Sequence, residues 1–131
     1  FLIIEANTNL INVINRLKNE GYWIHLVTAR PADNLKCYHD SYMWLSRTDI
    51  KFDAIEFTGE KFRWLADQEF YKEGKVICAV DDSPKHSTEY AKHGVQVFSP
   101  LLSYNTELKN VDLVTLFTEE DDLYELIKRS C

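Results

Sequence analysis

The chain has 131 residues, and its hydrophobic share of 45% and aromatic share of 13% suffice for the core of one domain. Its formal net charge of -6 argues against a general nucleic-acid binder, because such binding depends largely on cationic contacts to phosphates. The charge does not exclude a small phosphorylated ligand held in a local pocket.

The three cysteines, Cys37, Cys78 and Cys131, are widely spaced and form no Cys-x-x-Cys pair. This pattern is typical of reduced intracellular thiols and argues against a disulfide framework or a zinc site. The chain shows neither an apolar run of membrane-spanning length nor a signal-peptide pattern. We therefore expect a cytoplasmic domain without a membrane partner. Because the chain starts at Phe1, we also expect the natural N-terminus to lie elsewhere.

Hydrophobic periodicity predicts strands and helices that alternate along the chain. Strands are predicted at 1–4, 22–27, 54–57, 76–80 and 95–98, and helices at 10–17, 34–47, 61–70, 84–93 and after 118–121. Residues 99–110 resemble a loop, and 113–117 are compatible with either a strand or a helix. The alternation predicts an α/β fold, a three-layer, doubly wound, Rossmann-like parallel sheet of about five strands with helices on both faces and no large cap. His25, inside the second strand, is interpreted as a packed core residue.

The fourth predicted strand ends abruptly on Asp81 and Asp82. Ligands in open α/β sheets bind outside the carboxyl ends of the strands. Adjacent carboxylates repel each other, so they are stable together near a cation or with one of them protonated, and hard oxygen ligands suit magnesium. The alternative is a pair of solvated loop carboxylates, one of which caps the next helix.

Thr28 and Lys61 are predicted at the same edge of the sheet. The hydroxyl of Thr28 and the backbone N–H groups that follow it, at Ala29 and Arg30, could hold a phosphate oxygen. Lys61 opens a helix, where the dipole disfavours a cation, so it could balance a bound phosphate and nearby carboxylates. The alternatives are a turn or N-cap threonine and a surface lysine.

Three stretches together resemble the haloacid-dehalogenase-like (HAD) superfamily of phosphatases. They are Leu26-Val27-Thr28-Ala29-Arg30, Lys61 before its helix, and Val80-Asp81-Asp82-Ser83-Pro84 followed by Gly94-Val95. They are similar to the second, third and fourth motifs of the family. The helix with Tyr42, Trp44 and Leu45 adds a weaker likeness to polynucleotide 3'-phosphatase and nucleotidase domains.

The resemblance implies a Mg²⁺-dependent phosphomonoester hydrolase that works through a phosphoaspartyl intermediate. Its substrate would be a small phosphorylated metabolite, a nucleotide or a nucleic-acid end. Thr28 and Lys61 would be catalytic, Thr28, Ala29, Arg30 and Lys61 would bind the phosphate, and Asp81 and Asp82 would bind Mg²⁺.

The first motif of the family, Asp-x-Asp-Gly-Thr, is not matched. After the first strand this chain has Glu5-Ala6-Asn7. Glutamate reaches one methylene further than aspartate, and asparagine cannot exchange a proton. We expect a single HAD-like domain over 1–131 from which the motif-one loop and flap are missing. The alternative is a catalytically inactive phosphate-binding or regulatory domain.

A receiver-type signalling domain shares the parallel sheet and the acidic pair, but its pair is expected after strand one. His86, Tyr90 and His93 could line the site or face solvent. The 99–110 segment, with Tyr104 and Asn105, is expected to be an ordinary surface loop.

Overall fold

The structure, a computed structural model, describes residues 1–5, 10–29, 43 and 49–130. The predicted helix over 34–47 lies outside the described residues except for Met43. Arg30, Asn7, Tyr42, Trp44 and Leu45 also lie outside them.

Six parallel strands form one open sheet in the described part of the chain. In chain order they are β1 (Leu2–Ile4), β2 (Ile24–Thr28), β3 (Ala54–Phe57), β4 (Cys78–Val80), β5 (Val97–Pro100) and β6 (Val114–Phe117). Their order across the sheet is β3-β2-β1-β4-β5-β6. The predicted doubly wound parallel sheet is confirmed, and the segment 113–117 supplies its sixth strand.

The described helices are α1 (Ile11–Asn19), α2 (Lys61–Ala66), α3 (Glu69–Lys72), α4 (Pro84–Lys92) and α5 (Glu120–Arg129), with a 3-10 helix at Thr106–Asn110. The prediction of a single helix over 61–70 is wrong, because the helix is interrupted between α2 and α3. The backbone of Gln68 is extended there, and its side-chain amide donates to the Trp64 carbonyl at 3.0 Å. That carbonyl would otherwise accept from the Gln68 backbone in a continuous helix.

The sheet is covered on both faces, because alternate strand residues point in opposite directions. Leu2 and Ile4 belong to a core with α1 and α5, whereas Ile3 belongs to a second core with α2 and α4. The helix residues of the first core are Leu10, Val13, Ile14, Leu17, Leu123, Tyr124 and Ile127. Their spacing of three or four residues places them on one face of each helix, and this face packs against the sheet.

His25 packs as expected, with its ring 4.7 Å from that of Trp64 and 5.8 Å from that of Phe70. Burial lowers the pKa of His25 below its ordinary value.

None of the helices in the described part of the chain has the length and apolar composition needed to span a membrane.

The first core depends on α5, and the replacement Ile127→Ala tests this dependence. Ile127 is fully buried, so the substitution should lower the free energy of unfolding by about 2–5 kcal/mol through lost burial and a cavity. The matched control is Glu125→Ala, an exposed position on the same helix, which should change it by less than about 0.5 kcal/mol. Urea denaturation measures both, and equal effects would contradict this packing.

Candidate functional site

The strand order creates a switch point between β1 and β4, because the chain continues to opposite sides of the sheet from these two central strands. In such sheets the ligand crevice lies at the carboxyl ends of the strands at this point. Glu5 directly follows β1 and Asp81 directly follows β4. The backbone N–H of Glu5 donates to the Val80 carbonyl at 2.9 Å, so the main chain holds the two strand ends together.

Lys61 joins these two carboxylates. Its ammonium donates to Glu5 Oε2 and to Asp81 Oδ2, the latter at 2.6 Å. The side chains of Lys61 and Asp81 are each only 2% exposed, and that of Glu5 is 25% exposed. The alternative of a surface lysine is therefore excluded. The helix dipole disfavours the positive charge of Lys61 at the N-terminus of α2, and the two carboxylates compensate for this.

The charges around Lys61 do not balance. Burial lowers the pKa of Lys61, but the Asp81 and Glu5 carboxylates more than offset this, and the pKa is raised overall. Burial also raises the pKa of Glu5, and the negative charges of Asp81 and Asp82 add to this against the opposing effect of Lys61. The Lys61 ammonium thus faces two carboxylates, and Asp82 adds a third negative charge near Glu5. A bound cation would relieve the repulsion among the carboxylates.

Two hydrogen bonds from the turn into α4 and from its first turns fix Asp81. Its Oδ1 accepts from the Ser83 backbone N–H at 2.9 Å, and its carbonyl accepts from Ser87 Oγ at 3.1 Å. The N-cap of α4 is Ser83, whose hydroxyl accepts from the His86 N–H at 3.3 Å. Asp81 is therefore neither a solvated loop carboxylate nor the helix cap.

Asp82 is held by the segment 99–110. Its carboxylate accepts from the Tyr104 hydroxyl, and its carbonyl accepts from Asn105 Nδ2 at 3.2 Å. The hydrogen bond to Asp82 raises the pKa of Tyr104 to about 12. Asn105 is only 1% exposed. The expectation of an ordinary surface loop is therefore wrong for Asn105, and the sequence signal was limited to a turn-forming asparagine after a strand.

Thr28 and Ala29 lie at the same edge, whereas Arg30 is outside the described residues. Thr28 is the last residue of β2 and is 4% exposed, and its carbonyl accepts from the Thr58 N–H at 2.8 Å. Ala29 follows it and is exposed. Lys61 and Asp81 thus meet in direct contact, and Thr28 and Ala29 lie at the end of the neighbouring strand β2.

The sequence left open whether His86, Tyr90 and His93 line the site, and the structure places the three differently. His86 is buried, and burial together with the positive charge of Lys61 lowers its pKa. The Tyr90 hydroxyl is buried without a hydrogen-bond partner in the described part of the chain, and burial with the charges of Asp81 and Glu5 raises its pKa. His93 instead stacks on Phe62, with ring centres 4.0 Å apart.

A crevice of about 10 Å³, which is room for about one water molecule, is lined by Glu5, Leu10, Val80, Asp81, Asp82 and Pro100. Its carboxylates are the hard oxygen donors that Mg²⁺ prefers. Across residues 1–5, 10–29, 43 and 49–130, no three or more His, Cys, Asp or Glu side chains form a ready-made metal cluster. Mg²⁺ ordinarily uses one or two carboxylates with substrate phosphates and waters, so this donor set fits it.

Comparison of the chain with models of known protein families, with curated proteins and with solved structures found no match.

The substitution Lys61→Met tests the central ion pairs. It should lower the free energy of unfolding by about 3–5 kcal/mol at neutral pH, because it leaves buried carboxylates unpaired. The pKa of Glu5 is already raised in the folded protein, so Glu5 favours folding at low pH and this contribution is lost as the pH rises through its folded-state pKa. Without Lys61 that pKa rises further, so the loss should be larger near about pH 8 than near about pH 5.

Urea unfolding at the two pH values measures this difference. The control is Lys72→Met, because Lys72 is exposed and its pair with Glu69 is 3.9 Å long. A loss for Lys61→Met that is equal at both pH values, or no larger than that of the control, would contradict the account.

Proposed function

We propose that this chain is a Mg²⁺-dependent phosphomonoester hydrolase of the HAD type. Its substrate is a small phosphorylated metabolite, a nucleotide or a nucleic-acid end. The observation that carries the proposal is the buried Lys61 ammonium between Glu5 and Asp81 at the switch point of the sheet. A cytoplasmic location stays a prediction from the cysteine pattern.

The proposed roles follow from position and charge. Lys61 holds the carboxylate at the end of β1 and offsets charge on the phosphoryl oxygens. The Thr28 hydroxyl and the backbone N–H groups of Ala29 and Arg30 bind those oxygens. Asp81 and Asp82 would hold Mg²⁺, which supplies further neutralisation of the phosphoryl charge when bound.

The family reaction begins with a carboxylate at the end of the first strand. A carboxylate oxygen forms a bond to phosphorus while the bond from phosphorus to the leaving oxygen breaks, and water then hydrolyses the acyl phosphate. Glu5 occupies this position here. If Asn7 takes the place of the acid of the family, its amide has no acidic proton, and the leaving oxygen then takes its proton from water. This favours leaving groups that are stable as anions.

A second candidate function is a phosphate-binding or regulatory domain without turnover. It is favoured by the same two residues, Glu5 and Asn7, because they differ from the aspartates that the family reaction uses. The binding residues Thr28, Lys61 and Asp81 would keep their roles in this case. The two candidates differ in hydrolysis and agree in Mg²⁺-dependent phosphate binding.

Hydrolysis of p-nitrophenyl phosphate distinguishes the two candidates, because its leaving group needs no acid. We expect release of p-nitrophenol with Mg²⁺ and none with EDTA. Lys61→Ala should reduce the rate by about 10²–10³-fold through lost charge stabilisation, and Glu5→Gln should abolish it through loss of the nucleophile. Lys72→Ala, at an exposed lysine, is the matched control and should keep the full rate.

No turnover, combined with a Mg²⁺-dependent rise in melting temperature on adding phosphate, would reject hydrolysis and support the second candidate. Turnover that persists in EDTA or in Lys61→Ala would contradict the proposed site.

A further inference from the structure

A second cleft of about 200 Å³ lies beside the candidate site. Its lining comes from the start of α4, the loop after β5 and the 3-10 helix, and consists of Pro84, Thr88, Tyr104, Asn105, Glu107, Leu108 and Val111. Asp82 connects the two clefts, since it lines the first and is hydrogen-bonded by Tyr104 and Asn105 of the second. A molecule with its phosphate at Lys61 could therefore extend into this second cleft.

Asn105 fixes the loop that forms one wall of this cleft. Its Nδ2 donates to the carbonyls of Asp82 and Pro100, at 3.2 and 2.7 Å, and to Ser99 Oγ at 3.2 Å. Its Oδ1 accepts from the Leu102 N–H at 2.8 Å. A buried amide with this many partners holds the backbone in one arrangement, so the wall is preorganised before a ligand arrives.

Tyr104 presents its ring on this wall. The ring is tethered at its hydroxyl by Asp82, yet the residue is 58% exposed. Leu101 and Leu102 on the same loop are 45% and 39% exposed. A tethered aromatic ring with a free surface is a stacking platform, because a planar ring can cover it without displacing the hydrogen bond.

The charge of the cleft restricts what it can bind. Among the described residues that line it, Glu107 is the one charged side chain. Together with the adjacent Asp82 it disfavours additional phosphate or carboxylate groups on the part of the substrate that enters here. The cleft therefore suits an uncharged group with an apolar planar surface.

We propose that the cleft beside Tyr104 is the leaving-group subsite, and that it takes an uncharged planar aromatic ring carried by the leaving group of a phosphomonoester whose phosphate is held at Lys61. The ring is an aryl group attached to the ester oxygen, or a nucleobase linked to that oxygen through its ribose, and both present a planar stacking surface. The inference rests on the proposed function, because it needs a phosphate at Lys61. It narrows the substrate class and makes Tyr104 a specificity-determining residue.

Binding of non-hydrolysable phosphonates tests the inference separately from turnover. Isothermal titration calorimetry with Mg²⁺ would compare benzylphosphonate with methylphosphonate. The wild type should bind the benzyl compound about tenfold more tightly through stacking. Tyr104→Phe loses the hydrogen bond to Asp82 but keeps the ring, so it should keep this preference. Tyr104→Ala loses both and should bind the two compounds alike.

Trp23→Ala is the control, because Trp23 is an exposed aromatic residue that precedes β2 at the opposite end of the strands. It should keep the preference. A second pair, adenosine 5'-monophosphate and ribose 5-phosphate, identifies the ring. A preference in this pair assigns a nucleobase, and one in the phosphonate pair alone assigns a simple aryl group.

The inference is overturned if neither pair shows a preference in the wild type, if Tyr104→Ala keeps the preference, or if no compound binds. The proposed function fails on a different result, the absence of p-nitrophenyl phosphate hydrolysis. Equal binding of both phosphonates with intact hydrolysis would thus remove the subsite and leave the enzyme. A preference without hydrolysis would instead reject the enzyme and leave a ring-binding cleft beside a phosphate site.

Discussion

The ammonium of Lys61 between two carboxylates is the interaction on which the candidate site depends. A buried ion pair is stable only if its geometry and hydrogen bonds offset the cost of removing charges from water. Here Lys61 contacts both Glu5 and Asp81, and Asp81 accepts a further backbone hydrogen bond. Asp82 nearby leaves negative charge in excess. The protein thus keeps charged groups buried at this strand end, although replacing a buried ion pair by apolar side chains is often neutral or stabilising.

The topology explains why this cluster forms at all. Glu5 and Asp81 follow adjacent central strands, β1 and β4, which are paired in parallel register from Leu2 with Cys78 to Ile4 with Val80. Lys61 reaches them from the helix that follows the edge strand β3. The loop after β5 contacts Asp82 through hydrogen bonds from Tyr104 and Asn105. Four strand ends therefore contribute to one edge of the sheet: carboxylates follow β1 and β4, an ammonium follows β3, and a phenol and an amide follow β5.

The sequence predicted the parts of this arrangement that are local. The apolar run before Asp81 and the alternating strands and helices follow from periodicity, and both are observed. The sequence also predicted that Lys61 and Asp81 lie at the same edge of the sheet, and the two are in direct contact. It did not predict the contacts of Glu5 and Asn105, whose partners lie far away in the chain. Glu5 meets Lys61 across 56 positions, and Asn105 meets Asp82 across 23. The helix is interrupted after Ala66, where the backbone of Gln68 is extended and its side chain donates to the Trp64 carbonyl. Hydrophobic periodicity does not register such an interruption.

A crystal structure of the protein grown with Mg²⁺ and tungstate, a phosphate mimic, tests the central claim most directly. The account predicts the oxyanion between the Thr28 hydroxyl and the Lys61 ammonium, with Mg²⁺ bound by Asp81, Asp82 or both. Tungstate bound elsewhere, with Lys61 still closed on Glu5 and Asp81 and no metal beside them, would contradict it. The ion pairs would then serve stability alone.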